Sequence, residues 1–160
     1  WQGVEKHARA YLEAKHRKKA ALVSYLFAKS FDKRNKPNDA LVFYSMVYAR
    51  YMGYIRISAP ATKRVMEILW DRNLNEGAVV GEKTLTMSDR QQAYQKIGYA
   101  FIASTKKIRE NSKEITEAEK IALDDVNALV MKYERSGQVK TMEQVKEERE
   151  ENRRRGRRND

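Results

Sequence analysis

Apolar residues recur at helical spacing along most of this 160-residue chain, and only two prolines and seven glycines interrupt the pattern. In the first segment, Val4, Ala8 and Tyr11 lie on one face of a helix, and Leu22 and Leu26 continue the same spacing. The abundant alanine, leucine, glutamate, lysine and arginine residues favour helix over strand. We therefore predict one all-α domain, a helical bundle of about four to five helices.

The N-terminal segment is predicted to form one long helical arm, from residue 3 to about residue 31. A helix of about 28 residues would be about 42 Å long, whereas a globule of this chain length has a radius of gyration of roughly 15 Å. Such a helix must cross the whole domain or project from it. The segment 31–39 ends the arm. Pro37, Asn38 and Asp39 are expected to supply loop and N-cap chemistry there.

The remaining helices are predicted from their apolar stripes and from signals at their starts. Residues 40–58 form a helix with a wide apolar and aromatic face, and the pattern restarts at Ser58 and Pro60 and continues to about Leu74. Segment 75–87 contains two glycines and β-branched residues without helical period, which indicates a loop or a small hairpin. Three capping boxes mark later helix starts: Ser88 with Gln91, Thr116 with Glu119, and Thr141 with Gln144.

Two of these starts are followed by helices over residues 89–110 and 117–135, and Gly137 is the expected C′ residue of the second. After Met142 the tail has Val145 as its one apolar residue. The tail can therefore form a helix, but we do not expect it to be part of the core. The chain then divides into a basic N-terminal helical arm (1–36), a helical bundle core (37–137) and a charged, arginine-rich C-terminal tail (138–160).

The net charge of +11 is concentrated in the arm. Residues 1–36 carry ten Lys or Arg and three Asp or Glu, whereas residues 76–137 carry ten of each sign. Positive potential attracts phosphates and raises association rates, so the sequence predicts a polyanionic partner. A second basic cluster near the C-terminus suits a nuclear signal, a nucleic-acid tail or a membrane tether. Its members are Arg153, Arg154, Arg155, Arg157 and Arg158.

The densest part of the arm is the run from Lys15 to Lys19. Successive helical residues are about 100° apart, so this run surrounds the helix and leaves no face for core burial. It is either a solvated surface helix whose lysine stems lie along the protein, or a helix that contacts phosphates on several sides. Neighbouring positive charges favour the second interpretation. The predicted nucleic-acid-binding residues are Lys6, Arg9, Lys15, His16, Arg17, Lys18, Lys19, Lys29, Lys33, Arg34, Lys36, Arg50, Arg56 and the five C-terminal arginines.

Other chemistries have little support. The chain has no cysteine, and segment 77–84, GAVVGEKT, departs from a phosphate-binding loop because three residues instead of four separate its glycines. His7 and His16 are nine residues apart, on opposite sides of a helix, so we expect no shared metal. The longest nearly apolar run, 20–28, is far shorter than the ~20 residues needed to span a bilayer. We expect no enzymatic activity, no cofactor and no metal.

Aromatic residues interleave with basic ones around Arg50 and Arg56. Such an arrangement can stack on the bases of single-stranded nucleic acid. At helical spacing, however, a tyrosine stripe is more often part of the core, with its hydroxyls at the boundary. We expect the second arrangement for Tyr44, Tyr48, Tyr51 and Tyr54.

The arm and the bundle together resemble a known family. The resemblance rests on EKHARAYLEAKHRKKAALVSYLFAK, residues 5–29, followed by the bundle from Ala40 to Tyr133. This layout is similar to that of the helical DNA-coating major capsid proteins of filamentous archaeal viruses, in which a basic helical arm joins a compact all-α domain. The resemblance implies arms that wrap double-stranded DNA non-specifically in a helical virion. It also implies contact with another copy or with a related sister subunit.

Two other classes of protein stay open. A cellular or phage DNA- or RNA-binding regulator, or a packaging accessory protein, of the cytoplasm or nucleoid would aim Arg, Asn or Gln at base edges. Its candidates, Arg90, Gln91 and Gln92, lie in a charge-balanced segment. A peripheral protein of anionic membranes would place large apolar residues opposite its charges. The run 15–19 lacks such a face, although segment 22–27 has one.

Overall fold

The computed structural model describes residues 2–13, 17–111 and 115–156, and this part of the chain is an all-α bundle, as predicted. The strands in it form one two-stranded antiparallel hairpin. The elements are α1 (Gln2–Glu13), α2 (Arg17–Lys33), α3 (Pro37–Arg50), α4 (Ile55–Arg72), β1 (Val79–Val80), β2 (Lys83–Thr84), α5 (Asp89–Gln91), a π-helical segment (Gln92–Tyr99), α6 (Ala100–Asn111), α7 (Glu117–Arg135) and α8 (Met142–Gly156).

The predicted continuous helix over residues 3–31 is wrong, because α1 folds back on α2. On one straight helix Glu5 and Ser30 would lie about 38 Å apart. Instead, Ser30 Oγ donates a 2.7 Å hydrogen bond to Glu5 Oε1. Ala8 is buried beside Val23 and Leu26 of α2. The two helices therefore form an antiparallel pair, the α1–α2 pair, and no single 42 Å rod projects from the domain.

Aromatic side chains join α2 to α3. Phe27 is buried and meets Phe43 edge to face, with 4.3 Å between ring centroids, and Phe31 stacks on Phe43 at 5.6 Å. Aromatic pairs of this kind contribute roughly 0.5–1.5 kcal/mol beyond the burial of their area. On the far side of α4, Trp70 stacks on Tyr133 of α7 at 3.7 Å. Helix α4 thus lies between the α2–α3 layer and α7.

The predicted helix over residues 40–58 is also wrong, because it is interrupted by a turn. α3 ends at Arg50, and α4 begins at Ile55. Ser58 Oγ donates a 2.9 Å hydrogen bond to the carbonyl of Met52, which ties the turn to the start of α4. Both helices bury apolar stripes, so helical spacing continues across the turn and does not reveal it.

Pro60 lies inside α4 and does not restart the helix, contrary to prediction. Proline lacks an N–H and its ring crowds the carbonyl four residues earlier, so it usually marks a boundary. Here the carbonyl of Tyr54 accepts hydrogen bonds from the N–H groups of Ile57 and Ser58 at 2.8 and 2.9 Å. The first turn of α4 is therefore closed before Pro60 is reached.

The predicted cap of α3 is wrong in its residues. Pro37 occupies the first turn of α3, where the N–H that it lacks would have no helical partner anyway. Asn38 and Asp39 are already helical, and Lys36 takes the N-cap position without a side-chain hydrogen bond. Asp39 instead places a negative charge near the positive end of the helix dipole.

Two of the three predicted capping boxes are confirmed, and the third is only half formed. Glu119 N donates to Thr116 Oγ1 at 3.3 Å and Thr116 N donates to Glu119 Oε2 at 2.9 Å, which is a complete capping box. A second complete box lies at the start of α8, where Gln144 N donates to Thr141 Oγ1 at 3.3 Å and Thr141 N donates to Gln144 Oε1 at 2.9 Å. Ser88 caps α5 by accepting from the N–H of Gln91, but the Gln91 side chain bonds to Gln95 and Lys140 and does not complete the predicted box. Glycines at positive φ end two turns, Gly81 in the predicted β-hairpin at 61° and Gly137 after α7 at 67°.

The tail begins attached to the body. The N–H of Met142 donates to the hydroxyl of Tyr94 at 3.3 Å, and Val139 and Val145 are buried. Val145 therefore packs on the core, although the sequence predicted otherwise. From residue 146 to 155 every side chain of α8 is exposed. The tail is helical, as expected, and only its first turn is held by the bundle.

Gly98 is a point of close packing between the π-helical segment and its neighbours. A Cβ atom at this position would lie 2.5 Å from Val130 Cγ2 and 2.6 Å from Met66 Cε. Both distances are well below van der Waals contact, so glycine lets the segment approach α4 and α7 this closely. No sequence signal predicted the π-helical geometry.

We predict that Gly98→Ala destabilises the fold by about 1–2 kcal/mol, because overpacking outweighs the gain in helix propensity. Met66 can move its terminal methyl, but the β-branched side chain of Val130 is stiff. Urea denaturation followed by circular dichroism measures the change. Gly53→Ala is the matched control, since a Cβ there meets nothing within 4 Å. Equal unfolding midpoints for the two variants would contradict the prediction.

Candidate nucleic-acid interface

Glu5 holds α1 against α2. Its Oε1 accepts the hydrogen bond from Ser30, which is fully buried, and also pairs with the guanidinium of Arg34. The hydrogen bonds from Ser30 and then from Arg34 hold the pKa of Glu5 below its ordinary value. The first carboxylate of the predicted arm is therefore neutralised within the α1–α2 pair.

Asp32 is neutralised by a cation from another helix. Arg64 of α4 donates from Nε to Asp32 Oδ2 at 2.7 Å and from Nη2 to Oδ1 at 2.9 Å. The hydroxyl of Tyr44 lies 3.4 Å from the same carboxylate. The hydrogen bonds from Arg64 hold the pKa of Asp32 below its ordinary value, although partial burial opposes the shift. This bidentate pair joins α2 to α4.

Five lysines of the first 36 residues, the hairpin lysines, have no such partner. Within the described residues none of them forms an ion pair. Four are exposed, and the half-buried Lys29 places its ammonium 5.7 Å from the centre of the Tyr25 ring. The charge of the exposed lysines therefore faces solvent, while the two described carboxylates of the same segment, Glu5 and Asp32, are used internally. The hairpin lysines are Lys6, Lys19, Lys29, Lys33 and Lys36.

The predicted cations divide between the two ends of the bundle. α1 and α2 are antiparallel, so Lys6 lies near Lys33 and Lys36, where the charge of Lys36 also reaches Glu5. Phe27 contacts Phe43 along an antiparallel α2 and α3, so the start of α2 lies at the same end as the end of α3. The second group therefore comprises Lys19 and the exposed Arg50 and Arg56.

One predicted arginine has an internal partner, and a second lies near a carboxylate of α7. Arg34 pairs with Glu5 and lies 5.9 Å from the Phe31 ring, so part of its charge is used to hold the helices together. Arg56 lies near Glu119, whose pKa is lowered mainly by hydrogen bonds from Thr116 and further by the Arg56 charge. Several predicted residues lie outside the described part of the chain. These are Lys15, His16, Arg157 and Arg158, and the side chains of Arg9, Arg17 and Lys18.

The C-terminal arginines that the structure describes lie on the exposed last turns of α8. Arg153, Arg154 and Arg155 are exposed, and Arg155 lies 3.8 Å from Glu151 one turn earlier. Such exposed i,i+4 pairs contribute only about 0.3–0.5 kcal/mol. The pair is weak, but the glutamates at 147, 148, 150 and 151 still lower the net positive charge around these arginines.

The tyrosines mostly serve the core. Tyr44 is buried, and Tyr48 donates a 2.9 Å hydrogen bond to the carbonyl of Lys96. Burial raises the pKa of both phenols. Tyr54 differs, because it is 53% exposed in the turn between Arg50 and Arg56. Among the tyrosines whose side chains the structure describes, it is the most exposed.

The side chains that a base-reading regulator would use are engaged internally. Arg90 pairs with Gln138 and lies 5.2 Å from the Trp70 ring. Gln91 exchanges two hydrogen bonds with the backbone of Lys140, at 2.7 and 3.0 Å. Gln92 donates to the carbonyl of Met87 at 3.0 Å. None of the three is presented free on a recognition helix.

A polar cavity of about 690 Å³ lies between the loop before α5, the π-helical segment and the start of α8. Its walls include Gln95, Lys140 and Glu148, which are distant in sequence, so pattern reasoning missed it. Within the described residues no three His, Asp or Glu side chains converge on a metal site. The same residues contain no helix long and apolar enough to cross a membrane.

No protein-family model, curated protein or solved structure matches the chain.

We predict that Glu5→Gln loosens α1 from α2, because it removes the ionic contact with Arg34. Amide hydrogen exchange of residues 2–13 at pH 7 should become several-fold faster, because α1 would open locally more often while the rest of the fold stays intact. The lowered pKa means that the contact stabilises the pair above the ordinary pKa of 4.5 and is lost as pH falls through the folded value. Wild-type protein should therefore lose the same protection in acid.

Glu82→Gln is the control for this experiment, since Glu82 is exposed in the β-hairpin turn. It should leave exchange in α1 unchanged. Protection of α1 that is the same in Glu5→Gln and in wild type would contradict the role assigned to Glu5.

Proposed function

We propose that the chain is a non-enzymatic structural protein that binds nucleic acid through sequence-independent phosphate contacts. One observation carries the proposal: the described carboxylates of the α1–α2 pair are neutralised internally, whereas the five hairpin lysines lack a described acidic partner. Contact between such lysines and phosphates releases counterions from the nucleic acid, which is the main driving force of non-specific binding. No hydrogen-bond pattern for reading bases is needed.

Double-stranded DNA is the nucleic acid that we propose, and a virion coat filament is the assembly. Lys19 and Lys33 are fourteen residues apart on α2, or about 21 Å along the helix. This length equals about six base-pair steps at 3.4 Å each, so one α1–α2 pair suits a short stretch of duplex backbone. The resemblance in charge layout to helical DNA-coating capsid proteins supports the same proposal. Another copy or a related sister subunit would complete the filament.

We predict a steep salt dependence of duplex binding. If the hairpin lysines together with Arg9, Arg17 and Lys18 neutralise about eight phosphates, log K should fall with log salt at a slope near −7. Fluorescence anisotropy with labelled duplexes of random sequence measures the slope. A slope near −1 would rule out the coating proposal, because it corresponds to about one phosphate contact.

A matched pair of variants tests where the phosphates lie. Changing Lys19, Lys33 and Lys36 to glutamine should reduce the magnitude of the slope by about 3. Changing Lys83, Lys96 and Lys106 to glutamine removes the same formal charge from exposed positions elsewhere and should leave the slope nearly unchanged. Equal effects would mean that net charge, and not the α1–α2 pair, governs binding.

Electron microscopy with and without duplex DNA tests the assembly. Filaments with a regular helical repeat that form with DNA support a coat subunit. Discrete particles that prefer a specific sequence when a duplex of random sequence competes would instead support a cellular or phage regulator or packaging accessory protein. The engagement of Arg90, Gln91 and Gln92 within the fold counts against that alternative.

A peripheral anionic-membrane protein is the other candidate, and one observation favours it. Val4, Leu22 and Leu26 are exposed on the α1–α2 pair, and Val4 and Leu26 line an apolar groove of about 400 Å³. Apolar side chains flanked by lysines suit an anionic bilayer surface. Co-sedimentation with anionic and neutral vesicles tests it. Binding to anionic vesicles that Leu22→Ser abolishes, without binding to duplex DNA, would favour the membrane.

A further inference from the structure

Helix α7 has a solvent-facing side that the fold does not cover. Leu123, Val126, Val130 and Tyr133 are buried against the bundle, so the opposite side of the helix faces outward. Six residues lie within about 40° of the centre of that side, flanked by Lys120 and Lys132, and all are exposed. We call them the α7 stripe: Glu117, Ile121, Asp124, Ala128, Met131 and Arg135.

Two large apolar side chains stand in this stripe. Ile121 is 58% exposed and Met131 is 40% exposed. Single exposed apolar residues are common on protein surfaces and need no explanation. Here, however, they recur on one helix face at the spacing that a packed helix pair uses. The stripe therefore has the pattern of a contact surface.

The spacing of the residues in the stripe is symmetric. The steps between members are four, three, four, three and four residues, so the spacing is the same from either end about position 126. Its termini are an acid, Glu117, and a base, Arg135. Ile121 and Met131 occupy the matching inner positions. The stripe is thus complementary to a second copy of itself that runs in the opposite direction.

From this complementarity we infer that α7 forms an isologous, antiparallel contact between two copies of the chain, with the two-fold axis near Val126. Glu117 then faces Arg135 of the other copy at both ends, about 27 Å apart. Ile121 packs on Met131 twice. Ala128 is small and leaves room for the opposing Asp124 carboxylate to reach solvent. Isologous two-fold dimers are the commonest oligomers.

The contact competes only weakly with interactions inside one copy. Glu117 lies 3.3 Å from Lys120 on its own helix, but both side chains are largely exposed. Such a pair contributes a few tenths of a kcal/mol. In the dimer Glu117 keeps this neighbour and gains Arg135 of the other copy. The inference goes beyond the proposed function, because it does not require nucleic acid.

Sedimentation velocity over a concentration series without DNA tests the dimer. We expect wild type to dimerise reversibly and Ile121→Ser with Met131→Ser to raise the dimer Kd on the order of a hundredfold or more, because each change occurs twice in a symmetric contact. Val42→Ser on α3 is the control, since Val42 is 60% exposed and outside the stripe. A monomeric wild type, or a dimer insensitive to the double change, would overturn the inference.

Charge exchange tests the antiparallel orientation. Glu117→Lys alone and Arg135→Glu alone should each weaken the dimer, because each places like charges opposite one another twice. An equimolar mixture of the two variants should recover it as a heterodimer, in which both end pairs again have opposite charge. Loss without recovery would overturn the antiparallel arrangement. Circular dichroism of each variant checks that the helices are intact.

Separate readouts keep this inference distinct from the nucleic-acid proposal. The stripe variants should bind duplex DNA with the wild-type salt slope when compared as monomers at low concentration. The lysine variants should dimerise like wild type. A dimer without DNA binding would leave the inference standing and remove the proposed function, and DNA binding by a strict monomer would do the reverse.

Discussion

The close approach at Gly98 is the constraint on which the bundle depends. Met66 of α4 and Val130 of α7 occupy the space that a side chain at this position would need. Helix α4 in turn carries Arg64, which holds α2 through Asp32. A shift of α4 would therefore disturb the helices on both of its sides. The position of the cationic α1–α2 pair is therefore set by packing in the middle of the molecule.

The excess positive charge of the α1–α2 pair is compatible with a stable fold because of where it lies. Two unit charges 10 Å apart in water repel by about 0.4 kcal/mol, and physiological salt reduces this further. The carboxylates Glu5 and Asp32 instead form short contacts that join helices. The exposed lysines therefore lower the stability of the free protein only slightly, although the two acids are paired elsewhere. The same arrangement leaves the lysine charge available to a polyanion.

Sequence reasoning succeeded where the cause is local. The capping box of Thr116 and the turn at Gly81 depend on residues within three positions, so their patterns are readable. It failed where the cause is distant. The reversal between α1 and α2 depends on Glu5 meeting Ser30, 25 residues away, while helical spacing continues on both sides. For the candidate interface, the sequence shows which residues are cationic. It does not show that Arg34 would pair with Glu5 inside the fold.

The two proposed surfaces lie on different sides of α4, which carries both of their helices. α2 is attached to it through Arg64, whereas α7 is attached through Trp70 and Tyr133. A dimer through the α7 stripe would therefore keep both α1–α2 pairs away from its two-fold axis. Nucleic acid bound there would not pass through the dimer contact, so the two interactions would not compete for side chains. Each dimer would then present two separate cationic surfaces, which allows one dimer to hold two duplex segments or two successive stretches of one.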